Sequence, residues 1–401
     1  MSFPKINKLD GILISTIASG LKKENKKDLV IININKNANT VGVFTNSQTK
    51  SEAVKWSKNN IKNNIKAIVV NSGNANALTG KEGLNSIKIY TKFLSKKINC
   101  KSSNILVAST GIIGQQLDYK KINKSIPKLL NKSQKKCCSW KSFSESIMTT
   151  DTFPKAATKK LKIGNKVVTI SGVAKGSGMI YPNMGTLLGF IFTDAKIPKH
   201  ILRKTLVNGI QKSFNSITVD GDTSTSDTVF FTATGKINNK EITSLKNKHY
   251  LEFVKKFDEL LLDLALQIVK DGEGAKKIIK IKVKNSKNYL IAKKIAFSIA
   301  NSLLVKTFLG SKELNFGRIF MAIGKSLQSI KQDKISFSFG NFSIAKEGKL
   351  LKNIDLKQIK RYMNKQELFL EINLNIGNKS ATVYTCDLTK EYIKINTNYI
   401  S

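Results

Sequence analysis

The chain has 401 residues, 41% of them hydrophobic, which excludes an intrinsically disordered polypeptide and leaves enough apolar residues for a sizeable core. Its formal charge is +41, yet all of its 68 basic residues except Arg203, Arg318 and Arg361 are lysines. Arginine is the usual reader of base edges, and the lysines are scattered, so the charge reads as a solvated Lys-rich surface with no specific nucleic-acid partner.

In chain order, Asp28 to Asn35 reads as a strand carried by Val30, Ile31, Ile32 and Ile34. Ser51 to Ile61 reads as a helix. Lys66 to Asn71 reads as a buried strand running into the loop Asn71-Ser-Gly-Asn-Ala-Asn-Ala. Glu82 to Lys97 has Leu84, Ile87, Tyr90, Phe93 and Leu94 at helical spacing. Asn104 to Ser109 is a strand feeding Thr110-Gly111, and Val167 to Val173 a strand before a Gly-rich loop that starts at Lys175. That loop runs into Thr186, which opens an apolar strand-like run to Phe192. Pro198 to Phe214 is a helix with proline at its start, and Thr228 to Thr232 a strand. Tyr250 to Val269 is a long helix with the stripe Phe253, Phe257, Leu260, Leu261, Leu264 and Ile268, read as core. Lys277 to Val283 is a strand and Tyr289 to Leu304 a helix. The end holds strands near Ile335 to Phe339, Phe342 to Lys346, Glu367 to Asn373 and Ala381 to Thr385. Only 5 prolines occur, with no Pro- or Ser-rich linker. The alternation predicts the α/β class, layered sheets covered by helices, in one compact assembly.

Several chemistries are excluded. Cys100, Cys137, Cys138 and Cys386 lack metal spacing and read as reduced, mostly buried thiols. His200 and His249 lie in polar segments at helix edges, so a histidine base or histidine metal ligands find no support. Asp220, Asp222 and Ser224 start like a calcium loop, but Thr225 stands where that loop needs Gly and Phe231 where it needs Glu. No phosphate-cradling Gly motif follows a strand, and no Gly-x-Ser-x-Gly elbow occurs. The start, Met-Ser-Phe-Pro-Lys, has no apolar signal core, and no window reaches the ~18 apolar residues of a membrane span, so a cytoplasmic protein without a membrane partner is expected.

Other loops crowd small and hydroxyl residues at strand ends, where sites are usually built. They are Asn71-Ser-Gly-Asn-Ala-Asn, Ser109-Thr-Gly-Ile-Ile-Gly, Thr149-Thr-Asp-Thr-Phe-Pro-Lys, Thr218-Val-Asp-Gly-Asp-Thr-Ser-Thr-Ser-Asp and Asp271-Gly-Glu-Gly-Ala-Lys. The Lys175 loop is the most specific. A flexible Gly-rich segment ending in one Thr on a rigid strand suits a chain that cuts itself before Thr186. The new α-amine, titrating near ~8, would be the local base for the Thr186 hydroxyl.

These strings, together with Gly42-Val-Phe-Thr, Leu304-Val-Lys-Thr, Asn315-Phe-Gly-Arg and Cys386-Asp-Leu-Thr, resemble the ornithine acetyltransferase family over nearly the whole chain. That family is often bifunctional as glutamate N-acetyltransferase in arginine biosynthesis. The resemblance implies a fold similar to self-cleaving aminopeptidases. It implies cleavage between Gly185 and Thr186 into an α chain (1–185) and a β chain (186–401) that assemble as α2β2. It also implies an acetyl-Thr186 intermediate, formed from N-acetylornithine and discharged to glutamate. The oxyanion pair falls on Thr110 and Gly111, and the substrate-binding positions on Thr152, Lys175, Thr186, Glu273, Asn396 and Ser401. No cofactor or metal is implied, acetyl-CoA being a candidate co-substrate. A self-cleaving aminopeptidase or amidase of similar fold is the alternative. Gly185 stands where the family usually has Ala, and Ser401 where it usually has Thr. Each position also has an ordinary reading: Thr186 as a β-branched strand residue, Lys175 as surface, Glu273 as a solvated turn, Asn396 and Ser401 as a frayed end, Thr110 as a cap.

Overall fold

The computed structural model describes all residues except 1–2, 24, 136–138, 182–186, 241, 243, 312 and 399–401. Gly185, Thr186, Ser401, Cys137 and Cys138 therefore lie outside the described residues. The chain divides into two compact units where the alternation predicted one assembly. The first is Met1–Asn215 with Asp222–Ile268, the second Ser216–Gly221 with Val269–Ile400.

The first unit runs β1 (Ile12–Ile17), β2 (Leu29–Ile34), β3 (Asn39–Phe44), α1 (Glu52–Asn60), β4 (Ala67–Asn74), α2 (Gly80–Lys97), β5 (Ile105–Ile112), α3 (Tyr119–Lys135) and α4 (Trp140–Ile147). It continues with β6 (Lys155–Ile163), β7 (Lys166–Lys175), β8 (Leu188–Thr193), α5 (Lys199–Lys212), β9 (Thr228–Ala233) and α6 (Lys248–Lys270). Two sheets result, one of four strands in the order β1-β2-β4-β5 and one of five in the order β3-β9-β8-β7-β6.

The period-2 alternation of β2, β4 and β5 decides the layering. Leu29, Ile31, Ala67, Val69, Ile105 and Val107 face Ile87, Tyr90 and Leu94 of α2 and Ile122, Ile126 and Leu129 of α3. Their neighbours Val30, Ile32, Ile68, Val70, Leu106 and Ala108 join Phe190, Phe192 and Phe230 of the other sheet. Ser51 caps α1, its side chain accepting from Val54 N–H. On the outer side of the second sheet, Phe231 stacks on Phe257 of α6 with centroids 4.5 Å apart. Gly209 of α5 lets α6 approach, since a Cβ there would sit 2.8 Å from Leu261. All six α6 stripe residues are fully buried. The unit is thus helix, sheet, sheet, helix.

The second unit runs β10 (Ile278–Ser286), α7 (Tyr289–Ala300), α8 (Leu303–Gly310), α9 (Gly317–Gly324), β11 (Ser336–Phe339), β12 (Phe342–Lys346), β13 (Lys349–Leu350), α10 (Leu356–Met363), β14 (Glu367–Asn373), β15 (Lys379–Cys386) and α11 (Lys390–Asn398). Its six-stranded sheet has the order β13-β12-β11-β14-β10-β15. One face carries Ile279, Ile281, Val283, Leu370, Ile372 and Val383 into a core with Ile295, Phe308 and Ile319. On the other, Glu371 pairs with Lys282 and Lys284.

Two local expectations are corrected. The predicted helix Tyr289 to Leu304 breaks at Asn301 and Ser302, because the Ser302 hydroxyl accepts from Val305 N–H and starts a new helix. The predicted loop at Asn71 begins four residues later, at Ala75, since Asn71 to Asn74 continue β4 beside β5. Replacing Phe257 by Ala empties a fully buried ring site between α6 and β9. We expect about 3–5 kcal/mol of lost stability, read as a lowered urea midpoint.

Candidate active site

The first unit's candidate residues gather where β4 and β5 end. These parallel strands keep register from Ala67 beside Ile105 to Ser72 beside Thr110 and Gly73 beside Gly111. Their apolar stems give way to Asn71-Ser-Gly-Asn and Ser109-Thr-Gly, and the polar side chains satisfy one another. Ser109 donates to Asn71 Oδ1 (2.7 Å), Asn71 Nδ2 donates to the Asn74 carbonyl (2.8 Å), and the Ser72 hydroxyl donates to the Ser146 carbonyl (2.6 Å). Gly111 has φ +127° and Gly73 φ +92°, a region open chiefly to glycine. A Cβ on Gly111 would meet the Gly73 carbonyl carbon at 2.4 Å and Asn74 N at 2.5 Å. Two backbones touch there, and no side chain fits between them.

Thr110, buried, is held from a second direction. Lys175 is the last residue of β7, and its Nζ donates to Thr110 Oγ1 at 3.1 Å. The hydroxyl accepts from the ammonium, so its own hydrogen is available to donate elsewhere. Lys175 is the register partner of Leu188, the first residue of β8 and two positions after Thr186 in the chain. β8 is the middle strand of its sheet, antiparallel to β7 and parallel to β9, and Leu187 O accepts from Thr228 N at 3.0 Å. All six β8 residues are buried. The segment that follows the candidate cleavage point is thus fixed on both edges.

The Gly-rich loop leaves β7 under a second restraint. Asp151 Oδ1 accepts from Lys155 Nζ (2.6 Å) and from Gly176 N–H (2.7 Å), and Oδ2 accepts from Thr149 N–H (2.9 Å). Both side chains of the ion pair are 0% exposed. Burial by itself would raise the Asp151 pKa. The charges of Lys155 and Lys175, with the hydrogen bonds from Lys155 and Thr149, outweigh it and hold the carboxyl well below the usual range. The hydroxyls of Thr150 and Ser177 lie 2.7 Å apart. Segment 149–151 is therefore laced to 176–177. Thr152, the candidate from this segment, is exposed beside it. Asp151 and Lys155 were missed as site residues. An Asp four positions before a Lys is unremarkable in so Lys-rich a chain, and only burial separates this pair from solvated ones.

In the second unit, Asn396 Nδ2 donates to Glu273 Oε2 at 2.8 Å and to the Tyr392 carbonyl at 2.9 Å. Gly274, with φ +70°, lets α11 come close, because a Cβ there would lie 2.5 Å from Tyr392 N. Thr389 Oγ1 donates to the Gly274 carbonyl (2.7 Å), and Asp387 Oδ1 accepts from Lys276 N–H and Lys277 N–H. Lys306 Nζ donates to Thr385 Oγ1 (3.0 Å) and to the Cys386 carbonyl. The strings around Glu273, Lys306 and Cys386 are thus neighbours in space. Burial pushes the Cys386 thiol up, against the opposing charge of Lys306. Among the described residues, no group of three or more His, Cys, Asp or Glu could hold a metal ion. No described helix is long and apolar enough to cross a membrane.

Asp151→Asn keeps the shape and strands the Lys155 cation in the interior. We expect a loss of about 3–5 kcal/mol near neutral pH. Because the folded-state pKa is lowered, the pair's contribution is full above pH ~5 and fades as pH falls from ~4 toward the folded value. Urea melts of wild type and variant should therefore converge in acid.

The ArgJ family profile matches residues 13–401. The arginine biosynthesis bifunctional protein ArgJ of Bradyrhizobium diazoefficiens is 40% identical over 402 residues, covering 99% of this chain and 97% of that relative. The protein of the same name from Brucella melitensis is 40% identical over 403 residues, covering 100% and 97%. The crystal structure of the arginine biosynthesis bifunctional protein argJ from Bacillus halodurans superposes with a TM-score of 0.51 at 35% identity, over 53% of this chain and 100% of that one. The chain belongs to the ArgJ family.

Proposed function

We propose that the protein is an acetyltransferase of arginine biosynthesis that moves the acetyl group of N-acetylornithine to glutamate through an acetyl-Thr186 intermediate. The observation that carries the reading is the 3.1 Å bond from Lys175 to Thr110, formed where β7 meets the start of β8. It puts a hydroxyl donor and a cation beside the segment that Thr186 leads into.

In this reading the chain cuts itself before Thr186, giving 1–185 and 186–401, which associate as α2β2 in the cytoplasm. The Thr186 hydroxyl attacks the acetyl carbonyl and its own α-amine takes the proton. The oxyanion is held by the Thr110 hydroxyl and the Gly111 N–H. The C–N bond breaks, ornithine leaves with the proton, and acetyl-Thr186 remains. The glutamate amine then attacks that ester, and N-acetylglutamate departs. Lys175 receives the substrate carboxylate, and Glu273 the ornithine side-chain ammonium, each supplying the opposite charge. Thr152, Asn396 and Ser401 complete the substrate contacts. The covalent enzyme carries the acetyl group, so no cofactor is assigned, and acetyl-CoA serves as a second donor in the bifunctional form.

Thr186→Ala is expected to give one uncut chain on a denaturing gel and no acetylated fragment by intact mass. Retained transfer in that variant would overturn the reading. Acetyl delivered to water with glutamate ignored would favour an amidase instead. Gly111→Ala forces a Cβ into the Gly73 backbone, so the β4–β5 ends must shift and carry the Gly111 N–H with them; both kcat and the melting temperature should fall. Steady-state kinetics beside a melting curve checks it.

A further inference from the structure

A second lysine lies beside the Thr110–Gly111 ends. Buried Asp28 anchors the turn that carries it: Oδ1 accepts from the Ser19 N–H and hydroxyl (2.7 Å each), and Oδ2 from Lys22 N–H (2.9 Å). The Asp28 carbonyl accepts from Ser72 N–H at 2.9 Å, which ties the turn to β4. The aliphatic stem of Lys22 then crosses Gly73, where a Cβ would lie 3.0 Å from Lys22 Cγ and 3.0 Å from the Leu21 carbonyl oxygen. Gly73 is the register partner of Gly111. Burial lowers the Lys22 pKa to about 8, Asp28 and Asp151 oppose that fall, and the charges of Lys175 and Lys26 add to it. Two ammonium groups, Lys22 and Lys175, therefore share the field at this end of the sheets. Lys22 Nζ donates one long hydrogen bond, 3.3 Å, to the Lys27 carbonyl. An ammonium has three protons, so donors remain for a ligand.

The two half-reactions differ in the charge they bring. N-acetylornithine carries one carboxylate and one ammonium. Glutamate carries two carboxylates, and its amine must be neutral when it attacks. Lys175 answers the carboxylate common to both. The second carboxylate of the acceptor needs a cation of its own, since an unpaired anion in a partly buried site is costly. We propose that Lys22 receives the side-chain carboxylate of the acceptor and thereby selects glutamate in the second half-reaction. This deepens the acetyl-transfer reading and rests on it.

The test uses the full chain with Lys22→Met and Lys22→Arg. Intact mass after mixing with N-acetylornithine alone reads the first half-reaction. kcat and KM for glutamate and for glutamine, its neutral isostere, read the second. Lys22→Met should form acetyl-enzyme to the wild-type extent. It should raise the glutamate KM roughly 10-fold or more and leave glutamine nearly unchanged, so that the preference collapses. Lys22→Arg should retain the preference. An unchanged glutamate-to-glutamine ratio in Lys22→Met overturns the inference while acetyl-transfer stands. So does loss of acetyl-enzyme in that variant, since a residue reserved for the acceptor is not needed by the donor. No acetyl-enzyme in the wild type would sink the acetyl-transfer reading, and this inference with it.

Discussion

The constraint on which the site depends is the central position of β8. A nucleophile made by cutting a chain is a new terminus, and termini fray unless their backbone is tied down. β8 is tied on both edges, to β7 and β9, and every one of its residues is buried. Phe190 and Phe192 face the other sheet, and Ile191 faces the helices. A break before the strand removes none of these contacts. The order of strands thus holds the start of β8 firmly whatever the chain before it does.

The same economy governs the charges. A chain with 68 basic and 27 acidic residues has few carboxylates with which to neutralise a cation indoors. It spends Asp151 on Lys155, both fully buried, and the remaining oxygen capacity on the Gly176 and Thr149 N–H groups. A buried ion pair is weak evidence for stability in itself, because desolvation offsets much of its attraction. Its position explains it better. It fixes the residue after Lys175 and holds a negative charge near Lys175. Lys175 Nζ donates to the Thr110 hydroxyl, and a hydroxyl polarised by such a bond is a better donor in turn.

Legibility in the sequence follows what each signal measures. The α6 stripe was readable because Phe253, Phe257, Leu260, Leu261, Leu264 and Ile268 recur at helical spacing, and all of them are core. The strand ahead of Thr110-Gly111 was readable from its apolar run, but its true end was not, since Asn71 to Asn74 look like a turn and are held extended by pairing with β5. Helix α3 went unread because lysines interrupt its apolar face and Pro127 stands inside it. The break at Asn301 was hidden for a related reason. A helical stripe reports which face is apolar, whereas a capping hydroxyl acts at one residue. The site was legible as a set of strings and not as a set of distances. That Thr110 meets Lys175 depends on register between strands from two sheets, and periodicity carries no information about that. Asp151 lay inside the string Thr149 to Lys155, but its buried pairing with Lys155 did not show there, and nothing in the sequence set Lys22 apart from the other lysines.

The Glu273–Asn396 bond has a physical consequence of its own. None of the described residues of α11 is buried, so the helix is held by polar contacts, among them Thr389 to the Gly274 carbonyl and Asn396 to Glu273. An amide donor is a weak partner for a carboxylate compared with an ammonium. Glu273 is therefore held in orientation by a contact weaker than an ion pair. A lysine partner would hold α11 more firmly than the amide does.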